Sequence, residues 1–309
     1  MAEGTGRGVI GEIMSTPFLS PGIYPDLTFE EYLAIDALSN TRMGQLAKSP
    51  AHYKANVELE NVKPLVIGRL THCGRLEPMA LAERYAVQPD FHLDQRNVTD
   101  KGLKSTSSVT RWVKEMEANF ESANEGKEIV SASWYREVKS IVASLHSDST
   151  ANEIFNEPGR VELTLVWTDD ETGILCKARL DKEGRDRITD LKTTLDLSAF
   201  PRSIARYGYH RQGAHYRNGW ATLTGELLDF WIVAVEKSAP YCVQSAPLNE
   251  DSIECGELKR RELMRLLADC MESDKWPGPP APSSWRVPEW EMSAGDSLAL
   301  TIGGETVNL

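Results

Sequence analysis

An acid and a lysine stand two residues apart in the segment ITDLKTT at positions 188–194, which otherwise resembles a buried strand. Because a strand projects alternate side chains to opposite faces, Asp190 and Lys192 point to one face and Leu191 points to the other. A further carboxylate, Asp181, ends the polar face of the preceding strand-like segment. If the two strands are neighbours, two carboxylates and one ammonium group converge.

Two carboxylates that are held close together repel each other unless a cation lies between them, and oxygen ligands suit Mg²⁺ or Mn²⁺. Such an ion would polarise a phosphodiester and lower the pKa of a bound water. Lys192 would orient that water or balance the charge that develops on phosphorus. From the spacing alone, an exposed ion pair is the alternative to a metal site.

The segments around these residues alternate apolar and polar side chains with the period of a strand. VELTLVW at 161–167 and ILCKARLD at 174–181 flank the turn-forming DDETG, so they predict a β-hairpin with one packed face. RITDLKTT at 187–194 is the third strand. A helix across YGYHRQGAHYRNGWATLTG and an apolar strand, LLDFWIVAVEK, are predicted to follow.

The remaining segments indicate how the chain is organised. Residues 1–22 read as a flexible lead-in, 23–275 as a single domain, and 276–309 as a proline-rich arm. Two amphipathic helices are predicted within LTFEEYLAIDALSNTRMGQLAKSPAHYKA, the first capped by Thr28 with Glu31 and the second by Ser39 or Asn40. The stretch 97–149 has helical periodicity and predicts helices that cover one side of the core.

Composition excludes some classes of protein. A formal charge of −12 argues against a protein that coats nucleic acid non-specifically, because such binding depends on neutralising phosphates with Lys and Arg. Five scattered cysteines without a CxxC pair argue against a zinc or iron–sulfur site. No apolar run is long enough to span a bilayer, so we expect a cytoplasmic protein without a membrane partner.

One local segment has the opposite charge. Between Leu197 and Gly225 there is no acid, and the segment predicts a positive stripe that holds DNA phosphates in a confined channel, with aromatic rings available to stack on an unpaired base. A basic helix that balances an acidic protein is the alternative. The members of the stripe are Arg202, Arg206, Arg211 and Arg217, interleaved with His210, His215, Tyr207, Tyr209 and Tyr216.

Taken together, four segments resemble the PD-(D/E)xK nuclease superfamily, and more closely its exonuclease VIII (RecE-type) branch from phage and prophage recombination systems. In chain order they are GIYPDLTFEEYLAIDALSNTRMGQLAKSPAHYKA, GRLTHCGRLEP, TGILCKARLDKEGRDRITDLKTT and GYHRQGAHYRNG. The resemblance implies an α/β (α+β) fold of the restriction-endonuclease type, with a central mixed β-sheet flanked by helices.

The resemblance also implies roles for individual residues. Asp181, Asp190, Lys192 and Gln212 would be catalytic. The metal ligands would be His72, Asp181, Asp190 and the Leu191 carbonyl. DNA would be contacted by Gln212, Tyr216, Arg206, Arg211 and Arg217. Glu77 and Glu162 stay outside this set, because Glu77 is equally compatible with a local structural role and Glu162 could point either toward the site or only toward solvent.

The activity that the resemblance implies is Mg²⁺-dependent hydrolysis of double-stranded DNA from its 5′ ends, with Mn²⁺ able to substitute. The products would be 5′-phosphomononucleotides and 3′ single-stranded tails for a RecT-like annealing protein. A ring-shaped homo-oligomer is implied as well. The alternatives are a Cas4-like or RecB-like nuclease of the same fold, and a DNA-binding subunit that has lost its activity.

Overall fold

The computed structural model describes residues 19–57, 62–91 and 107–287, together with the backbone of the short strands at 98–99, 102–103, 299–302 and 305–308. Most of the predicted lead-in, residues 1–18, lies outside the described residues. The strands are β1 (Gly22–Tyr24), β2 (Tyr85–Gln88), β3 (Val98–Thr99), β4 (Gly102–Leu103), β5 (Glu128–Ser131), β6 (Arg160–Thr168), β7 (Leu175–Glu183), β8 (Arg187–Thr194), β9 (Asp229–Glu236), β10 (Val243–Pro247), β11 (Ala299–Ile302) and β12 (Glu305–Asn308).

The helices cover about half of the described chain. They are α1 (Phe29–Ala34), α2 (Asn40–Lys48), α3 (Pro50–Ala55), α4 (Lys63–Leu76), α5 (Leu81–Arg84), α6 (Ser107–Ala123), α7 (Ala132–Ser147), α8 (Ser149–Asn156), α9 (Phe200–Tyr207), α10 (Tyr209–Thr224) and α11 (Glu250–Ser273), with a 3₁₀ turn at Pro78–Ala80. None of the described helices is both long enough and apolar enough to cross a membrane.

A six-stranded mixed sheet in the order β1-β6-β7-β8-β9-β10 forms the centre of the fold. Only β8 and β9 are parallel, and every other neighbouring pair in this sheet is antiparallel. Helices cover both faces of the sheet, so the predicted mixed α/β fold is confirmed. The predicted hairpin is β6 and β7, the predicted third strand is β8, and the predicted apolar strand is β9.

The two faces of the sheet have separate hydrophobic cores because strand side chains alternate. In β9, Phe230 and Ile232 pack with residues of α2, α10 and α11. Val233 and Val235 point the other way and pack with residues of α4, α7 and α8. Asp190 and Lys192 share the face of Ile188, toward α10, whereas Leu191 joins the core beneath α4 and α7.

The prediction that only one face of the β6-β7 hairpin is packed is wrong. Lys177 and Arg179 on the polar face of β7 are 6% and 9% exposed. The Lys177 ammonium donates to the carbonyls of Tyr32, Leu33 and Ile35 at the end of α1. The N-terminal segment therefore covers this face, and it satisfies the buried cation with backbone oxygens.

The predicted helix caps are confirmed at the N-terminal segment, but the number of helices differs. Thr28 and Glu31 form a capping box for α1, and the Ser39 side chain caps α2. Three helices are present instead of two, because Ser49 is extended and Pro50 starts α3. The proline ring disfavours the helical conformation of the residue before it, and proline lacks the N–H that would continue the helix.

Helices are also confirmed in the described part of the 97–149 stretch, where α7 packs against α4. In the C-terminal arm, residues 276–287 form neither helix nor strand. Beyond them, β11 and β12 pair as an antiparallel hairpin that the sequence reading did not predict.

Candidate active site

Strands β7 and β8 separate next to the residues that the sequence singles out. Their paired residues are Glu183 with Ile188 and Lys182 with Thr189. Asp181 and Asp190 come next along each strand, where the ladder has ended. There the Leu191 N–H donates to Asp181 Oδ2 at 2.7 Å. A carboxylate thus takes the place of a backbone partner, and the opening between the strands becomes a polar site.

His72 approaches this opening from α4. Its Nδ1 lies 3.4 Å from Asp181 Oδ1, and its Nε2 lies 2.8 Å from the Leu191 carbonyl oxygen. Burial opposes a charge on the imidazole, but the Asp181 carboxylate outweighs it and raises the pKa of His72 to about 9. Despite its burial, Asp181 has a lowered pKa because His72 and Lys192 are close by.

Glu162, which is outside the predicted catalytic and metal-binding residues, completes this group from β6. Its nearest side-chain partner is Arg179, whose Nε donates to Glu162 Oε2 at 2.7 Å. Ligand atoms of His72, Glu162 and Asp181 all lie within 4.8 Å of one another. Burial and the nearby Asp181 charge raise the pKa of Glu162.

The backbone at Glu162 is unusual for a strand. Its φ is 51°, a left-handed conformation that costs a residue other than glycine of the order of 1–3 kcal/mol. The register pairs Val161 with Lys182 and Leu163 with Leu180, so Glu162 stands opposite Asp181 at a break in the ladder. Counting residues back from the DDETG turn along both strands gives this pairing from the sequence. That count would have indicated that Glu162 lies next to Asp181.

Asp190 and Lys192 form an ion pair on the α10 face of β8. Lys192 Nζ lies 2.6 Å from Asp190 Oδ2, and Gln212 Nε2 donates to Asp190 Oδ1 at 2.6 Å. Burial raises the pKa of Asp190 to about 6, against the opposing influence of Lys192. Burial opposes the Lys192 charge, but Asp190 and Asp181 raise its pKa.

The donor set fits a divalent cation. Glu162 and Asp181 bring two carboxylates within ligand distance of His72, and Asp190 lies close enough for the Asp181 charge to raise its pKa. The cations paired with these carboxylates are Arg179, at Glu162, and Lys192, at Asp190. Burial is the main cause that raises the pKa values of Glu162 and Asp190, and the Asp181 charge adds to it; a bound cation would offset both effects. Carboxylate oxygens with one imidazole are ligands that divalent metals accept in proteins.

Comparison with protein families identifies the chain. Residues 39–281 match the family described as a PDDEXK-like domain of unknown function (DUF3799). The chain belongs to this family. The match includes His72, both strands that carry Asp181 and Asp190, and the α10 segment with Gln212, so the resemblance to PD-(D/E)xK nucleases is confirmed at the level of the superfamily.

Solved structures agree with the family at the level of fold. A putative exonuclease from Eubacterium rectale is similar with a TM-score of 0.52 and 16% sequence identity, over 87% of this chain and 98% of that chain. The structure of SSO0001 is more distant, with a TM-score of 0.30 and 14% identity over 69% of this chain and 89% of that chain. No curated protein sequence matches the chain at a significant level.

Within this PDDEXK-like domain, α10 directs most of the predicted DNA-binding side chains inward. Gln212 and Tyr216 are buried, and Gln212 Nε2 donates to the Tyr216 hydroxyl at 3.0 Å. The Arg211 guanidinium is bound to Asn40, and that of Arg217 is paired with Glu250 at 2.8 Å. Neither guanidinium faces solvent as the predicted stripe requires, because α10 is packed between the sheet and α11.

The other members of the predicted stripe divide in the same way. His210 and His215 on α10 are buried, whereas Arg202 and Arg206 on α9 are exposed. Among the arginines of the predicted stripe, the exposed positive charge therefore comes from α9. Outside the site, Glu77 ends α4 and accepts two bonds from Arg84, at 2.6 and 2.8 Å, which is a local structural role.

Proposed function

We propose that this protein is a divalent-metal-dependent nuclease that hydrolyses DNA phosphodiesters. One observation carries the proposal: His72, Glu162 and Asp181 place ligand atoms within 4.8 Å of one another where the β7-β8 pairing ends, and the Asp190–Lys192 ion pair follows directly on β8. Buried carboxylates crowded beside a lysine in this way are typical of sites that handle phosphate chemistry with metal ions.

We assign the metal to Mg²⁺, with Mn²⁺ as a substitute, held by His72, Glu162, Asp181 and Asp190, with the Leu191 carbonyl as a further oxygen. When bound, the ion supplies a Lewis acid that polarises the phosphodiester and lowers the pKa of a bound water. The other roles belong to the chain itself.

Lys192 is the residue positioned to handle the proton or the charge during hydrolysis. Its ammonium group lies against Asp190 Oδ2, which keeps it protonated at neutral pH. As a donor it orients the attacking water or stabilises the negative charge that develops on the phosphate oxygens. Gln212 binds the other oxygen of Asp190, so the carboxylate has a fixed orientation before substrate arrives.

The finer proposal is an exodeoxyribonuclease that degrades double-stranded DNA from 5′ to 3′ and leaves 3′ tails for recombination by strand annealing. Its support is the resemblance of four ordered segments to the RecE-type branch, together with the description of the similar Eubacterium rectale structure as a putative exonuclease. A RecT-like annealing partner and a ring-shaped homo-oligomer belong to this proposal on the same resemblance.

The test is digestion of linear duplex DNA labelled at one 5′ end or one 3′ end, with Mg²⁺, with Mn²⁺ or with EDTA, beside a closed circular duplex. We expect metal-dependent release of the 5′ label as a mononucleotide and an intact circle. Cleavage of the circle would show an endonuclease, and early loss of the 3′ label would reverse the polarity. DNA binding without cleavage under either metal would favour the inactive DNA-binding subunit.

A further inference from the structure

A cleft of about 180 Å³ opens directly beside the proposed catalytic lysine. It lies at the C-terminal end of β8, where the chain leaves the sheet toward α9. Tyr209 connects it to the site, because this ring lines the cleft and also lies 4.8 Å from Lys192 Nζ. The cleft is lined by Thr193, Thr194, Leu195, Asp196, Ala199, Phe200, Ser203, Tyr207, Tyr209 and Lys237.

Aromatic rings form one wall of this cleft. The Tyr207 and Tyr209 rings are 5.8 Å apart and inclined by 32°, and Phe200 lies 6.0 Å from Tyr209 on its other side. Tyr207 is 56% exposed, so part of an aromatic ring is open to solvent. The Arg206 guanidinium lies 5.7 Å from the same ring. An exposed ring beside a cation is a platform on which a nucleobase can stack.

The lining of the cleft also includes polar residues and a cation. Lys237 lines the cleft together with the side chains of Thr193 and Ser203, and among the described residues no carboxylate lies within ion-pair distance of its ammonium group. Lys237 also lines a second, more open cleft of about 470 Å³ that contains Arg136 and Glu137. A phosphate at Lys237 would therefore lie between two grooves.

Asp196 is the acidic residue of the cleft, and its position limits where a phosphate can bind. Asp196 Oδ1 accepts from the Ser198 N–H at 2.7 Å, so one carboxylate oxygen is tied to the backbone at the start of α9. A phosphate in the cleft would be repelled by Asp196 and attracted by Lys237. The uncharged base fits the tyrosine wall, and the phosphate fits the Lys237 wall.

We propose that this cleft holds an unpaired nucleotide adjacent to the scissile phosphodiester, with its base stacked on Tyr207 and its phosphate against Lys237. The inference rests on the proposed nuclease function and names the part of the DNA that the site grips. A base in a duplex is stacked on its neighbours and cannot also stack on Tyr207. The strand end is therefore separated from its complement before cleavage, and binding depends little on base identity.

The test uses single-stranded oligonucleotides and forked duplexes that carry 2-aminopurine at each of the first three positions from the strand end. Binding is measured in EDTA, so that nothing is cut. We expect wild-type protein to change the emission at one of these positions. Tyr207→Ala should abolish that change and weaken binding by about 5-fold to 150-fold, the range that loss of one stacked base produces. Tyr207→Phe should behave like wild type.

Lys237→Ala gives an independent readout. This substitution should weaken binding to all DNA sequences. It should also reduce the slope of log affinity against log salt by about 1, the value for one phosphate contact. Trp285→Ala and Lys114→Ala are matched controls, since Trp285 is 92% exposed and Lys114 is exposed on α6, and neither lines the cleft. Thermal unfolding of each variant shows whether it is folded.

Failure of the inference and failure of the proposed function give different results. If wild-type protein cuts DNA with Mg²⁺ but Tyr207→Ala and Lys237→Ala keep wild-type emission, affinity and KM, the cleft does not hold the nucleotide, whereas the nuclease function stands. If wild-type protein neither cuts nor binds DNA, both are overturned.

Discussion

At the scale of single residues, the site is defined by charges that are buried close together. Asp190 is 2% exposed and is held by Lys192 on one oxygen and by Gln212 on the other. A carboxylate in this position cannot rearrange without breaking both contacts. Because the orientation of Asp190 is fixed, a substitution that keeps its shape but removes its charge isolates the effect of the charge.

Asp190→Asn tests that point. The amide keeps the shape of the side chain but removes the charge, so DNA cleavage should fall by about 10³-fold or more while the fold is retained. Cleavage rate and thermal unfolding are measured on the same preparation. The exposed Asp186→Asn is the control. Normal cleavage by Asp190→Asn would remove Asp190 from the site.

Glu162 is expected to separate metal affinity from stability. In Glu162→Gln the amide oxygen can still accept from Arg179, but one negative metal ligand is lost, so binding of Mn²⁺ should weaken by at least about 10-fold. The free energy of unfolding without metal should stay equal or increase, because repulsion from Asp181 is removed. Calorimetric titration and urea unfolding measure the two quantities.

The control for Glu162 is Glu183→Gln, because Glu183 pairs with Arg160 away from the site. Unchanged Mn²⁺ affinity in Glu162→Gln would show that Glu162 serves only to hold Arg179.

His215 predicts a pH dependence of stability. Burial lowers its pKa from 6.5 to about 3, and the ring is packed 4.6 Å from Trp167. Because the unfolded chain binds a proton below about pH 6.5 and the folded chain does not, His215 destabilises the fold as the pH falls from 6.5 toward 3. The loss is about 1.4 kcal/mol per pH unit.

His215→Gln removes this titration, so its free energy of unfolding should fall less steeply between pH 6.5 and 4 than that of the wild type. Urea unfolding across this range gives the slopes. His146→Gln, at an exposed position of α7, should keep the wild-type slope. Equal slopes for all three proteins would show that His215 is protonated in the fold.

At the scale of elements, buried cations join parts of the chain that are distant in sequence. Lys177 on β7 binds the carbonyls that end α1, and Arg260 on α11 pairs with Asp169 in the β6-β7 turn at 2.8 Å. Both contacts fix the hairpin that carries Asp181. The hairpin is thus attached to α1 through β7 and to α11 through its turn.

Lys177→Met should lower the free energy of unfolding by about 2–4 kcal/mol. The methionine fills a similar volume but leaves the carbonyls of Tyr32, Leu33 and Ile35 without their donor, and the contact to Ile35 is buried. Chemical denaturation measures the change. Lys114→Met on the exposed face of α6 should change stability by less than about 0.5 kcal/mol. A similarly small effect of Lys177→Met would mean that water replaces the ammonium group.

At the scale of the whole molecule, 46 acidic and 34 basic residues leave a formal charge of −12. An acidic surface repels DNA, so binding must come from local features such as the metal site, α9 and the cleft at Lys237. This arrangement suits a protein that grips a strand end and does not coat a duplex.

The salt dependence of DNA binding should reflect such a small contact. We expect log affinity to fall with log salt with a slope that corresponds to about 2–4 phosphates, below the 6–10 of proteins that cover a duplex. Titrations between 50 and 200 mM salt, with EDTA present, measure it. A steep slope would indicate an extended basic surface, which α9 and Lys237 alone do not provide.

The sequence by itself determined the local elements and most of the charged groups in the site. The period of VELTLVW and ILCKARLD, the DDETG turn and the Thr28 and Ser39 caps are local signals, and each formed the predicted element. The strand period likewise placed Asp190 and Lys192 on one face. These features depend on residues close together in sequence, which is why a single chain is enough to predict them.

Tertiary structure alone decided which polar side chains face solvent and which complete the site. Arg211, Arg217 and Lys177 carry the positive charge that a DNA-binding surface needs. Packing against α2, α11 and α1 instead directs them to partners within the protein. Glu162 enters the site because its own backbone is left-handed, at a break in the β6-β7 ladder. Burial and backbone strain of this kind arise from contacts between distant segments, so the sequence indicates at most which strand residues pair and not which of them are buried or strained.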